Sequence, residues 1–219
     1  MTGRLHLAVL LSGGGTTFQY IQDRIDDGSL PAVVDVVVSS RPGVAGLQRA
    51  ANHGIPHFVV DRKQFAGHGE RLEEEMSRAI ADILSRYPVE LIVLAGFMTR
   101  LSSEFVRQWP NRIMNTHPAL VPAFCGAKFY GDRVHASVVE YGAKFSGCTI
   151  HFVDEEYDHG PIVLQKVVPV EDDDTAQTLG DRVRHEEKIL YVEAIRLFAE
   201  GRLKIEGRRV RVLKKQRDA

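Results

Sequence analysis

A chain of 219 residues with 44% hydrophobic content can bury a sizeable core as one domain of α/β size. Its 28 Lys and Arg stand against 29 Asp and Glu, a formal net charge of -1, so no global field recruits polyanions and nucleic acid is excluded as a main partner. Cys125 and Cys148 form no C-x-x-C pair, no apolar run approaches the roughly 20 residues needed to cross a bilayer, and Met1 to Arg4 has no apolar signal region behind it; a protein of a reducing cytoplasm, with no membrane partner, is expected.

Leu5 to Leu11 (LHLAVLL) is nearly all apolar, as strands buried on both faces of a parallel sheet are. It runs into Ser12-Gly13-Gly14-Gly15-Thr16-Thr17 and a helix expected from about Phe18 to Asp27. Bare backbone N–H groups at a helix start make an anion site; the competing reading is a tight glycine turn with Thr16 or Thr17 as N-cap. A dinucleotide fingerprint would need a third glycine where Phe18 stands, and the next strand, Ala32 to Val38, ends in Ser39-Ser40-Arg41 with no acid for a ribose hydroxyl. Arg41 facing a 2′-phosphate leaves a reduced-nicotinamide enzyme as a minor reading. A single phosphate is favoured.

A helix is expected over Pro42 to Gly54, a third strand over Ile55 to Val60, and a surface helix over Glu70 to Arg86, with Leu72, Met76 and Ile80 at helical spacing. A fourth strand, Val89 to Ala95, opens into Gly96-Phe97-Met98-Thr99-Arg100-Leu101. Ser102 is an N-cap for a short helix through Gln108. This alternation implies a doubly wound parallel sheet, whose ligands sit at the carboxyl ends of its strands.

Ile113-Met114-Asn115-Thr116-His117-Pro118 then reads as a strand whose end delivers polar side chains. Asn115 and His117, two apart on an extended chain, share a face, so an amide donor and an imidazole converge on one ligand atom. The bland alternative is a turn hydrogen-bonded by Asn115 and Thr116. A long aromatic-rich loop, Pro118 to Arg133, is expected to be a cover. A helix over Val134 to Tyr141 and a strand over Ser146 to Val153 lead to the acidic loop Asp154-Glu155-Glu156-Tyr157-Asp158-His159-Gly160-Pro161. There Asp158 would raise the pKa of His117 if the two met. A metal site from His151, Asp154, Asp158 and His159 has no recognisable zinc spacing and is disfavoured. Ile162 to Val170 is a strand that Pro169 marks as an edge. A long helix runs from Thr175 to about Glu200, stopped by Gly201, and Arg202 to Val212 makes an edge hairpin.

Four blocks now stand in order: Ser12-Gly13-x-Gly15, Leu94-Ala95-Gly96-Phe97-Met98, Asn115-x-His117-Pro118-x-Leu120-x-Pro122, and Gly147-x-Thr149-x-His151-Phe152-Val153 with Asp158-x-Gly160-Pro161-Ile162. Together, over about residues 5–205, they resemble the folate-dependent phosphoribosylglycinamide formyltransferases, also called glycinamide ribonucleotide transformylases. The resemblance implies the formyltransferase fold: a doubly wound Rossmann-like α/β sheet, parallel in the N-terminal half and mixed in the C-terminal half. It implies one domain over 1–213, with a phosphate-binding half at about 1–110, a folate and catalytic half at about 111–205, and a loose tail at 214–219.

It also implies transfer of the formyl group of 10-formyltetrahydrofolate, a co-substrate, to the amine of 5′-phosphoribosylglycinamide in purine synthesis, with no metal. Asn115 and His117 would hydrogen-bond the formyl oxygen, His117 as the charged form held by Asp158, and Asp158 would help take the amine proton through a water. Gly15, Thr16 and Thr17 would hold the ribonucleotide phosphate, Glu187 its ribose hydroxyls, and Arg184 would stand near the phosphate. Met98, Thr99, Arg100, Leu101 and the Asp154 to Asp158 loop would line the folate pocket, with Asn115 and Asp158 reaching the same ligand.

This chain departs from the pattern at three points. Thr17 stands where Asn is common, His68 where some members use an Arg for the folate, and Cys125 where a proline is common. The partners are expected to be small molecules, the protein a monomer or homodimer. A formyltetrahydrofolate deformylase on the same scaffold is the alternative, usually with an extra regulatory domain for which the length leaves no room. A methionyl-tRNA formyltransferase would need an RNA-binding domain. A nucleotide-binding regulatory module explains the glycines but not Asn115, His117 and Asp158.

Overall fold

In the computed structural model residues 3–215 are described; of the expected tail at 214–219 and the start at 1–4, residues 216–219 and 1–2 lie outside them. The chain forms two compact units, Met1–Met114 and Asn115–Ala219.

In the first unit the buried apolar runs become strands β1 (Leu5–Leu11), β2 (Ala32–Ser39) and β4 (Leu91–Leu94), and the largely exposed β3 (His57–Val59) pairs outside β2, in the order β3-β2-β1-β4. Their pairings are parallel. Val9 and Leu10 are fully buried, as are Val36 to Val38 of β2 and Ile92 and Val93 of β4. Continuous burial is what makes these runs apolar rather than alternating. The register of β1 on β2 shifts between Leu7 and Ala8, so Asp35 is passed over and its Oδ2 meets His6 Nδ1 at 2.9 Å.

Helices α1 (Thr16–Asp26), α2 (Ala45–Asn52), α3 (Leu72–Leu84) and α4 (Ser103–Gln108) complete the unit. Phe18 and Ile21 of α1 and Met76, Ile80 and Leu84 of α3 are buried, each such side chain contributing about 1.5–3 kcal/mol on leaving water. Two helix starts differ from expectation for local reasons. The helix expected from Pro42 begins at Ala45 because Gly43 turns with φ 66. The one expected from Glu70 begins at Leu72, preceded by 3-10 turns over Arg62–Arg71 that break at Gly69 (φ 54, ψ -125). Ser102 does cap α4, its side chain accepting from Phe105 N.

Strand β5 (Ile113–His117) carries the chain across the boundary, which falls after Met114. The second unit continues with α5 (Asp132–Tyr141), β6 (Phe145–Phe152), β7 (Ile162–Pro169), α6 (Ala176–Ala199), β8 (Leu203–Glu206) and β9 (Arg209–Val212). The strand order is β5-β6-β7-β9-β8, with β6 antiparallel to β7, β9 parallel to β7 and β8 antiparallel to β9, so this unit holds the mixed part of the sheet. The edge expected from Pro169 lies elsewhere: β7 has neighbours on both sides. The proline is tolerated because β9 pairs with β7 only at Ile162↔Arg209, far from it. The terminal strand is β8.

The core of this unit is Val138, Cys148, Val168, Leu179 and Val183, and burial pushes the Cys148 thiol up to about 12. Thr175 starts α6 with a reciprocal capping box shared with Thr178, and Gly201 (φ 65) follows its last turn. Asp172, Asp173 and Asp174 precede the helix. Asp174 is held well below the carboxylate range by a two-pronged pair with Arg182, whose guanidinium also reaches Pro169 O at 3.0 Å. No helix among the described residues is long and apolar enough to cross a membrane.

Candidate active site

In the first unit, β1 ends in the glycine loop. Gly15, not a threonine, is the N-cap of α1: its φ is 68 and it makes no side-chain cap. Thr16 and Thr17 are the first helical residues. The first helical bond runs from Gln19 N to Gly15 O at 2.9 Å, so the N–H groups of residues 16–18 precede the helical ladder and point out of its positive end. A Cβ on Gly15 would stand 2.6 Å from Gly46 Cα, so close packing of the loop on α2 requires the glycine as much as the turn does. The loop is fixed by Arg49 Nε on Gly14 O (3.0 Å) and Gly46 N on Gly13 O (3.1 Å). Ser12 Oγ accepts from Met98 N at 2.8 Å and meets Ser40 Oγ at 2.5 Å, tying three strand ends together.

Beside these ends lies a cavity of about 780 Å³, lined among others by Ser40, Arg41, Arg62, Lys63, Met98 and Thr99. Of the expected folate residues, Met98 and Thr99 line it. Arg100 is exposed, 3.9 Å from Glu73, and Leu101 is buried. His68 is exposed in the 3-10 segment with its ring against Phe65 and is not part of the lining. The cations that do line the cavity were not singled out by sequence for this place.

In the second unit, the end of β5 brings Asn115, His117 and Asp158 together. His117 is 3% exposed; its Nδ1 lies 3.3 Å from Asp158 Oδ2 and its Nε2 donates to Phe124 O at 2.8 Å. Asn115 Nδ2 is 3.5 Å from Asp158 Oδ1 and 3.2 Å from His151 Nε2. His151, named from sequence as a disfavoured metal ligand and within the Gly147 to Val153 block but given no part in the site, is the residue missed. It is 2% exposed, its Nδ1 donates to Phe152 O at 2.9 Å, and its Nε2 is turned to Asn115 and, at 3.7 Å, to Asp158. The signal that pointed to it was its place on a strand two residues from Thr149, on the same face. The structure adds what sequence does not announce: Asn115 Nδ2 at 3.2 Å from the His151 ring, beside a register shift in which Val163 of β7 is passed over.

Asp158 itself adopts φ 51, in the left-handed region. Burial pushes its carboxyl up, but contacts with His151 and His117 and the Gly126 N–H, 3.0 Å from Oδ2, outweigh this and hold it below its ordinary range. The His117 charge differs from expectation. Burial is the largest influence on the ring and lowers its pKa below the ordinary histidine value, overcoming the opposite pull of Asp158 and of Phe124 O. The resting imidazole is therefore neutral at pH 7, with its proton on Nε2 and its Nδ1 beside a carboxylate ready to stabilise a second one.

The cover loop after β5 is pinned over this cluster. Thr149 Oγ1 donates to Ala119 O (2.7 Å) and accepts from Val121 N (3.0 Å), and Gln165 Nε2 donates to Val121 O (2.9 Å). The Phe124 ring packs edge-on against Phe129 and Tyr141. Cys125 Sγ donates to Pro122 O, and burial with the Asp158 charge raises its pKa, so it stays a thiol. Asp154 and His159 pair with each other at 2.8 Å, apart from His151.

On α6, Arg184 is already bridged to Asp132 (2.9 Å) and Asp181 (2.7 Å). Glu187 is half-buried, with its carboxyl densely surrounded. Burial pushes it up to about 7 against the opposing influence of the Thr116 hydroxyl, Lys188 and Arg184. The Thr116 contact falls outside strict hydrogen-bond geometry, leaving the buried Oγ1 with no conventional partner in the free protein. Thr116 thus faces away from the Asn115 and His117 side, toward α6.

The sequence matches the formyl transferase family over residues 5–195. It is 42% identical over 202 residues to a chloroplastic phosphoribosylglycinamide formyltransferase of Arabidopsis thaliana, covering 92% of this chain and 68% of that one. It spans 19% of the trifunctional purine biosynthetic protein adenosine-3 of Gallus gallus, at 40% identity over 93% of this chain. The structure superposes on glycinamide ribonucleotide transformylase 1 from Symbiobacterium toebii with a TM-score of 0.88 at 41% identity, covering 98% and 96% of the two chains. A formyltetrahydrofolate deformylase from Pseudomonas syringae shares the fold alone, with a TM-score of 0.86 at 21% identity over 97% of this chain and 67% of that one.

Proposed function

The chain belongs to the formyl transferase family, and from that premise we propose that it transfers the formyl group of 10-formyltetrahydrofolate to the amine of 5′-phosphoribosylglycinamide, in purine synthesis. The observation that carries the reading is the convergence of an amide, a neutral imidazole and an ionised carboxylate at the end of β5.

The amine nitrogen attacks the formyl carbon, a C–N bond forms and the carbonyl oxygen gains negative charge. Asn115 Nδ2–H and His117 Nε2–H donate to that oxygen, which takes the hydrogen bond that Phe124 O accepts in the free protein. One such donor contributes about 3–4 kcal/mol to the transition state. The amine proton passes, through a water, to the Asp158 and His117 pair, where uptake at Nδ1 gives an imidazolium facing a carboxylate. Collapse breaks the bond from carbon to N10 of the folate, and N10 takes the proton. The products are N-formylglycinamide ribonucleotide and tetrahydrofolate. Bond making and bond breaking are assisted by hydrogen bonding and proton transfer alone, so the reading calls for no metal.

The uncapped N–H groups of Gly15, Thr16 and Thr17 hold the phosphate, as backbone donors at a helix start do. Glu187 takes the ribose hydroxyls, for which it must ionise. Arg184 assists the phosphate only by giving up one of its two aspartates. The residues read as folate contacts are Met98, Thr99, Arg100 and Leu101 in the first unit and, in the second, Asn115, Asp154 and Asp158, each supported within its own unit. Arg62 and Lys63 supply, for its glutamate carboxylates, the charge that His68 does not. A cytoplasmic location goes with small-molecule substrates and two free cysteines.

The test is product analysis with purified protein and 10-formyltetrahydrofolate. Tetrahydrofolate formation that depends on added ribonucleotide supports the reading. Formate release at the same rate without ribonucleotide overturns it in favour of the deformylase.

A further inference from the structure

The loop between β6 and β7 carries Asp158 and is clamped from two sides. On one side Gly160 lies so close to β6 that a Cβ there would stand 1.8 Å from Phe152 O. On the other, the turn joining β8 to β9 sends Arg208 across the loop, where its Nη2 donates to His159 O at 2.7 Å. Its Nη1 lies 3.1 Å from His159 Nδ1 and 2.8 Å from Nε2. Contacts to both ring nitrogens set the guanidinium against the His159 ring as well as its carbonyl. The same ring turns Nδ1 to Asp154 Oδ2 at 2.8 Å, while Asp154 Oδ1 accepts from Glu156 N at 3.0 Å.

Between the clamps sits Asp158 with φ 51, a conformation that a non-glycine residue keeps only where its surroundings impose it. The residue that Arg208 grips is the next one in the chain. We propose that Arg208 is a positioning residue: by holding the His159 peptide it keeps Asp158 left-handed and its carboxylate aimed at His117. The inference rests on the reading of Asp158 as a group that takes part in proton transfer. Arg208 is exposed, and an exposed polar contact contributes little to global stability. Its effect is local, on the aim of one carboxylate, and a misaimed reacting group slows the chemistry by far more than one surface hydrogen bond adds to the fold.

The experiment compares Arg208→Ala, Arg208→Lys and Asp158→Asn in the full chain, measuring kcat, KM for the ribonucleotide, Tm and the pH dependence of kcat. For Arg208→Ala, kcat falls about ten-fold or more, on the scale of the roughly 10²-fold that a 1 Å misplacement of a reacting group costs. KM for the ribonucleotide and Tm stay as in the parent. The acidic limb of the kcat profile moves to higher pH, because Asp158 loses its alignment with His117 and His151 and with the Gly126 N–H; Cys125 is the remaining titratable group facing it. Arg208→Lys regains part of kcat, since an ammonium still donates to His159 O. An unchanged kcat and profile in Arg208→Ala, with Asp158→Asn inactive, overturns this inference and leaves the reading of Asp158 standing. A kcat loss that merely tracks a fall in Tm, with the acidic limb unmoved, overturns it too. Full turnover in Asp158→Asn removes the reading of Asp158 and the inference together.

Discussion

Glu187→Gln separates what burial does to a carboxyl from what a ligand asks of it. The Glu187 carboxyl is pushed from 4.5 up to about 7, first by burial. A group whose folded pKa is raised stabilises the fold fully below its unfolded pKa, and that contribution is lost as pH rises through the folded value. Stability of the parent therefore declines from about pH 4.5 to about pH 7 on this residue's account. At about 1.36 kcal/mol per pH unit the loss is at most about 3.4 kcal/mol, and about 2 kcal/mol after the screening a half-buried group retains. Glutamine is neutral throughout, so its gain over the parent should grow by about that amount between pH 5 and pH 8. Urea unfolding of both proteins at the two pH values measures it, the other titrating groups cancelling in the difference. A stability difference that stays constant from pH 5 to pH 8 would refute the reasoning, because it would mean that the carboxyl pays nothing for ionising in the fold.

Two further perturbations bear on the site and the loop. His117→Ala should lower kcat by about 10²–10³-fold, the size for one oxyanion donor, in a variant that still unfolds cooperatively but at lower Tm, because a buried ring and its bond to Phe124 O are lost; turnover within a few-fold of the parent would remove His117 from the mechanism. Gly15→Ala puts a Cβ 2.6 Å from Gly46 Cα at a residue with φ 68, so it should destabilise by about 2 kcal/mol or more and lower Tm by several degrees. An unchanged Tm would mean that the loop is not packed on α2 as described.

The strands of the first unit were legible because burial on both faces leaves an almost unbroken apolar run, as in Leu5–Leu11, and the rule that ligands gather at strand ends then singled out the glycine loop and Asn115 with His117. Short-range chemistry read well too, in the Ser102 cap and the stop at Gly201. What escaped were facts that depend on a partner distant in sequence. Pro169 looks like an edge until β9 is seen to reach only Ile162, and His151 looks like a strand residue until Asn115, far back in the chain, is found beside its ring.

The charge on His117 is the sharpest instance, because two correct local statements compete and only a magnitude decides between them. A carboxylate beside an imidazole raises its pKa; a wall of apolar neighbours lowers it. Sequence gives the first through Asp158 and is silent on the second, since burial of a strand's last residue depends on how the cover loop from Pro118 onward is pinned by Thr149 and Gln165. With the loop in place burial is the larger influence, and the resting ring is neutral. That outcome suits the proposed chemistry better than the charged form. A neutral ring still offers Nε2–H to the formyl oxygen, and it keeps Nδ1 as a place for the proton that the attacking amine must lose, next to the Asp158 carboxylate that stabilises it there.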